Sequence, residues 1–575
     1  MTGKEKVKVE NRSCVVSAVL AIATGLVLAL AWAVNAQDPE RELNDAAGQP
    51  NSPSLIVRLN LGPDDPTIDP ALSVTFTSSY YGFPSTFVVN QLFLGLVRAD
   101  EETGEIIPEL ATAWEMSSDA TVFTFTLRSD VTWTDGSPVT AYDVRYGILR
   151  SLDPDTNAEW EYPLFVIQNA EEYNNGSITD PNQVGITVLN STSMRFTLER
   201  PAAYLPSVLA MPLAHAMPAW AITAHPTDWT EPGNIVTNGP YRLTAWSHGI
   251  SMILDKNTSY HDAANVQIDR VLFSMVDDTT AWGMYLAGQL DSVIVPEDQW
   301  NAAQSDPILQ REIHYAPYPC TYYYGFNTAK PPFDDLLVRK AFIAAVDRQG
   351  VVDNVTRYAQ QPALTFTPPG VFGHVDGAAE AVGIPYDPTQ AQQWLAAAGY
   401  PNGQGLPLIT LMYNTLSRHE DIAEYVRQNW TDNLGVTVVL SDTNWEDYLD
   451  LLQIDPPQVW RLGWCADHYD AYDFLYDAVN SQRASHGGWS NAAYDSLLNL
   501  AAQTADPDTR KSLYKQLEEI LVETDAIMLP IYYYANGAAT KPYLERTHNH
   551  GGFGGRIADW RIAWRLFLPV VLRGS

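Results

Sequence analysis

Basic residues are scarce in this chain: 34 Lys and Arg stand against 68 Asp and Glu over 575 residues. A surface so acidic repels phosphate backbones and anionic lipid, which disfavours nucleic-acid binding and a peripheral membrane role. Cysteine is scarcer still, with three in all. Neither H-E-x-x-H nor a Cys/His cluster with ligand spacing occurs, so His548-Asn-His550 lacks the companions of a metal site, and no metal is expected. Also missing are G-x-x-x-x-G-K-[ST], a G-x-G-x-x-G opening a helix, and the G-x-S-x-G elbow; Gly551-Gly-Phe-Gly-Gly555 reads as a loop. No enzyme, catalytic residue or cofactor is therefore expected. Internal repeats and low-complexity blocks are missing too, and Leu566–Leu572 is too short an apolar run to span a bilayer, reading as a last strand or a tail.

What is abundant is aromatic. Seventeen Trp and 30 Tyr give apolar area with a polar tip, suited to core packing and to recognition, and the length calls for two or three domains. At the N-terminus Lys4, Lys6, Lys8 and Arg12 precede an apolar run from Val15 to Val34, followed by Val34-Asn35-Ala36. Residues 1–36 read as a Sec signal peptide; the same run would also suit an uncleaved anchor, and the A-x-A-like ending favours cleavage. Cys14 lies upstream of the run, which argues against lipidation. Without residues 1–36, 30 basic and 66 acidic residues remain, a net charge of −36. Residues 37–53 read as a flexible leader.

From Ser54 onward, Leu55–Leu59, Phe123–Leu127 and Met194–Leu198 alternate as half-buried strands do. Gln390–Ala398, Glu420–Leu434 and Thr509–Glu523 carry helical spacing, with Gly399 and Gly435 at the stops. The class is mixed α/β. Cys320 and Cys465 remain beyond the leader, either as one disulfide in an oxidising compartment or as two buried thiols.

Pro108-Glu-Leu-Ala-Thr-Ala-Trp114, Thr124–Arg128 and Val131-Thr-Trp-Thr-Asp-Gly-Ser-Pro-Val-Thr-Ala141 resemble the signature of the peptide/nickel-type solute-binding family. Trp229–Tyr241, Cys320-Thr-Tyr-Tyr-Tyr324, Asn327–Phe333 and Arg461-Leu-Gly-Trp-Cys-Ala-Asp467 continue the resemblance on its peptide-binding branch, from about Ser54 to about Trp564. The resemblance implies an α/β, two-lobed clamshell of the periplasmic-binding-protein class with mixed sheets and three domains. Domain I would comprise residues 54–92, 220–319 and 536–575, domain II the extra lobe 93–219, and domain III residues 320–535. It further implies an exported, monomeric partner of an ABC-importer permease, periplasmic or extracellular, whose ligands are short peptides.

Carried over by position, Asp467 matches the carboxylate that pairs with a peptide's ammonium, a charge-assisted contact that offsets desolvation. Trp464 and Trp445 match pocket walls, Trp160 an aromatic at the first pocket, and Phe83 the strand that pairs with peptide backbone. Tyr318, Tyr323 and Tyr534 match further cleft residues, each equally suited to core. His419 and Arg461 match basic groups that receive the peptide's carboxylate, and the resemblance also implies a Cys320–Cys465 bond. Two positions depart: Leu452 stands where the branch has an Arg, and Gly325 where it has a Glu. Rivals are a same-fold protein for a nickel chelate, haem, oligosaccharide or opine, a peptide-sensing surface protein, or a surface enzyme or adhesin on this scaffold. A lone anion placed for a free amine favours peptide.

Overall fold

Alternation sends Val57 and Leu59 of strand Ile56–Asn60 inward, and Phe123, Phe125 and Leu127 of strand Val122–Leu127 likewise. The computed structural model describes residues 54–63, 66–73, 84–100, 103–416, 418–477, 479, 487–548 and 555–563. The expected leader, Phe83, His550 and Leu566–Leu572 lie outside them. Among the described residues no helix is long and apolar enough to cross a membrane.

Three larger sheets organise the fold. In the first, Ile56–Asn60 runs parallel to Arg270–Ser274, which pairs antiparallel with Ser251–Lys256 and through it with Tyr241–Ser247. The second is antiparallel, in the order Ala111–Met116, Val122–Leu127, Ser193–Thr197, Ile186–Asn190. The third is mixed, in the order Ser292–Ile294, Met528–Thr540, Ile313–Phe326, Val459–Cys465, Ile409–Asn414, Val438–Thr443, with Gln361–Pro362 also on Met528–Thr540. This mixture of separate sheets matches the expected class.

Helices Leu336–Ala344, Pro388–Ala397 and His419–Leu434 share one core with the third sheet, through Val338, Phe342, Leu395, Val426 and Trp430. Their ends follow local chemistry. Asp387 accepts from the Gln390 amide ahead of Pro388, and Gly435 closes His419–Leu434 at φ 71°, a left-handed conformation that glycine adopts without a Cβ clash. Helix Pro507–Glu519 and its π-turn Ile520–Thr524 cover the third expected helix.

Two long strands decide how the chain is joined. Ile313–Phe326 and Met528–Thr540 pair with each other, and their register shifts between Pro317 and Thr321. The expected divisions at 319/320 and 535/536 therefore fall inside continuous strands, because the chain crosses there as sheet and not as linker. Near the C-terminus, the buried Arg556 pairs with the shielded side chain of half-buried Glu109 and donates to Tyr260 Oη at 2.8 Å, while the Ile557 amide donates to Gln91 Oε1 at 2.9 Å. Residues 555–563 are thus tied to the segment around Gln91 and Glu109, more than 440 residues earlier.

Candidate ligand-binding cleft

The third sheet presents a row of tyrosines, because residues two apart on one strand share a face. Tyr322 and Tyr532 are partners in register and stack at 4.9 Å; Tyr534 lies 5.1 Å from Tyr532. Over this row sits Arg461 of strand Val459–Cys465, its guanidinium 4.3 Å from the Tyr322 ring centre. Arg461 Nη2 donates to Tyr534 Oη at 2.9 Å and Nη1 to Asn414 Oδ1 at 3.2 Å. Among the described residues no carboxylate forms an ion pair with this buried cation. Burial opposes its charge, but the hydroxyls of Tyr534, Tyr322, Tyr532 and Tyr448 outweigh burial and hold the proton more firmly than usual.

These groups line a cavity of about 710 Å³, with Tyr318, His419, Trp445, Tyr532, Tyr534 and Arg461 among its walls. That room suits several residues of an extended chain. Four buried polar atoms on its lining have no hydrogen-bond partner: Tyr318 Oη, Gln360 Oε1, His419 Nε2 and Arg461 Nε. A cluster of orphaned donors and acceptors is costly in a folded protein, and a polar ligand would satisfy them. His419 is buried at the start of its helix, 5.6 Å from the Tyr322 ring. Burial and the neighbouring Arg461 push its pKa down to about 3, so at neutral pH it is an uncharged imidazole. Its hydrogen-bonding capacity stays.

Asp467 lies elsewhere. It is buried, accepts from the Tyr162 hydroxyl, and its amide donates to Asp473 Oδ2 at 3.0 Å. It lines a second, smaller cavity of about 70 Å³ with Ser207, His215, His468 and Arg556, enough for a few waters or one small polar group. His468 and His215 are held neutral, with burial bringing their pKa to about 4 and about 3. Trp464 is half-buried and its indole N–H donates to Asp473 Oδ2 at 3.3 Å. Trp160 is half-buried too, 6.4 Å from Tyr162. Asp467, Trp464 and Trp160 therefore form a group around Tyr162 and Asp473 and do not line the larger cavity.

Between the two groups, Cys320 and Cys465 face each other across the antiparallel pair and are joined as a disulfide. The bond ties the strand carrying Tyr318 and Tyr322 to the strand that leads from Arg461 through Trp464 into Asp467. Both cysteines also line the larger cavity.

Tyr323 lies in the core, one of the two settings open to it. It points to the opposite face of its strand from Tyr322, is 2% exposed, and packs 5.0 Å from Phe366 and 5.8 Å from Trp460. Trp445 keeps 48% exposure at the cavity mouth. The two departures have packing causes. A Cβ on Gly325 would lie 2.0 Å from the Trp460 ring, so no side chain fits there, and Leu452 is 1% exposed within the core. Missed from the sequence were Tyr532, Asn414, Gln360 and Tyr162. Tyr532 could have been found from its alternation with Tyr534, whereas Tyr162 meets Asp467 across 305 residues and left no local signal.

The model of the bacterial extracellular solute-binding proteins, family 5 Middle, matches residues 105–486. The chain is 32% identical over 484 residues to OppA, the periplasmic oligopeptide-binding protein of Escherichia coli strain K12, covering 83% of this chain and 86% of that one. It is 33% identical over 490 residues to MppA, the periplasmic murein peptide-binding protein of the same strain, covering 84% and 88%. The solved unliganded open form of MppA superposes with a TM-score of 0.80 at 30% identity over 90% of this chain and 99% of that chain. A second solved structure of Escherichia coli MppA gives 0.64 at 30% identity over 89% and 99%. With the family model spanning well over half of the chain and relatives a third identical across most of it, the chain belongs to the bacterial extracellular solute-binding proteins, family 5.

Proposed function

We propose that this protein is the exported solute-binding subunit of an ABC importer, that it captures short peptides between its lobes, and that it performs no catalysis. The observation that carries the reading is the unneutralised Arg461 among orphaned polar atoms in a cavity of about 710 Å³. Arg461, with neutral His419 as a hydrogen-bonding neighbour, receives the peptide's C-terminal carboxylate. Asp467 receives the ammonium, and Tyr162 orients the carboxylate that does so. Trp445, Trp464 and Trp160 wall side-chain pockets, and Tyr318 and Tyr534 bond backbone or water, which leaves little side-chain selectivity. Phe83, outside the described residues, keeps its expected role in pairing with the peptide backbone.

The lobes follow the three domains expected from the sequence, and the bonds from Arg556 and Ile557 to Glu109 and Gln91 support a C-terminal end that returns to the N-terminal region. The strands Ile313–Phe326 and Met528–Thr540 carry the hinge. The likeness to a protein with a solved unliganded open form supports closure as the step that brings the Asp467 group and the Arg461 group onto one ligand. The relatives' periplasmic setting supports export, and a permease is the partner.

N-acetylation tests the reading. By isothermal titration a free tripeptide is expected to bind at least thirty-fold more tightly than its N-acetylated form, about 2 kcal/mol. Equal affinity would remove the amine-pairing role of Asp467.

A further inference from the structure

Arg418 sits immediately before the helix His419–Leu434 with φ 72°, a conformation rare for a side chain of its size. Its guanidinium forms an ion pair with Glu297, at the first turn of helix Glu297–Ser305, and its Nη1 donates to the Thr356 carbonyl at 3.3 Å. All three residues line the larger cavity. The ion pair is therefore part of the cleft wall, and the Thr356 carbonyl gives its cation a second contact.

The two side chains are 35% and 43% exposed. A pair this wet contributes little to stability, so another carboxylate can take the place of Glu297 at small cost. Among the described residues of the cavity wall the fixed charges are Glu297, Arg418 and Arg461, since His419 is neutral. The wall thus carries a net positive charge inside a chain of formal charge −34. A concave wall of one sign raises the local concentration of ligands of the other.

We propose that Arg418 is a second carboxylate-receiving position of the cleft, with Glu297 as its displaceable counter-ion, so that the protein prefers peptides bearing two carboxylates. This rests on the peptide reading above. One carboxylate meets Arg461; the other replaces Glu297 in the planar fork of Arg418, which suits bidentate recognition. The second carboxylate comes from an acidic side chain, since a peptide has a single C-terminal end. In the same exchange the Glu297 carboxylate turns to water.

Isothermal titration of the full-length protein with trialanine, Ala-Glu-Ala, Ala-Ala-Glu and tetra-alanine tests this, in the parent, Arg418→Gln and Glu297→Gln. The parent is expected to bind at least one of the two glutamate peptides five-fold or more tightly than trialanine, and tetra-alanine, with its single carboxylate, without that gain. Which glutamate peptide gains identifies the position of the side chain that reaches Arg418, and a gain by tetra-alanine alone would overturn the proposal. Arg418→Gln should lower that ratio about ten-fold and Glu297→Gln should raise it about three-fold. The opposite signs separate charge recognition from a general loss of folding. A parent ratio near one, or variants that leave the ratio unmoved or shift it the same way, would overturn the proposal while the peptide reading stands. Failure of the parent to bind any of the four would overturn both.

Discussion

Asp467→Asn weakens binding of a free-amine tripeptide by about 2–5 kcal/mol, roughly thirty-fold or more. The side chain is 8% exposed, so little water is present to compensate for a lost charge. Asparagine keeps the shape and can still accept from the Tyr162 hydroxyl, and the Asp473 bond to the residue 467 amide does not involve the side chain. What disappears is the negative charge on which the proposed ammonium contact depends. Mutation and N-acetylation remove the same pair from opposite sides, so their effects are strongly non-additive: the variant should hardly distinguish free from acetylated peptide. A full additional loss on acetylating the ligand of the variant would place the ammonium elsewhere.

Glu109→Ala destabilises the fold by about 3–5 kcal/mol, because it strands the Arg556 guanidinium without its carboxylate. The two side chains are 8% and 9% exposed, and Glu109 Oε2 also accepts from the Gly95 amide at 2.9 Å. Loss of the carboxylate leaves an uncompensated charge and an unsatisfied amide together. Tyr260, at 2.8 Å from Arg556 Nη2, offers only a neutral oxygen in exchange. Denaturant unfolding reads the effect as a lower midpoint at unchanged slope. An unchanged midpoint would mean that the C-terminal segment is held by packing of Trp560 and Ile557 and owes nothing to the ion pair.

Where local chemistry decides structure, the sequence was legible. Phe123-Thr-Phe-Thr-Leu127 alternates and forms a strand; Gly435 sits where a left-handed residue is needed and ends a helix. The family signature from Pro108 to Ala141 led to the right fold class and family, since that string follows from a shared architecture. What could not be read depends on neighbours distant in sequence. His419 is basic on paper and neutral in the fold, because the chain places Arg461 and a buried site beside it. Tyr323 differs from Tyr322 only in strand parity, which one residue of register decides. Gly325 looked like a lost contact and is a close approach to Trp460, visible only once two strands are paired. Arg418 and Glu297, 121 positions apart, meet only because two helix starts converge on one cavity.

Release of a native ligand tests the central claim most directly. Protein purified without denaturation and examined by native mass spectrometry should carry extra mass that acid releases and that fragments as short peptides of mixed sequence. Extra mass that fragments instead as a haem, a sugar or a metal chelate, together with no binding of added peptides, would contradict the claim.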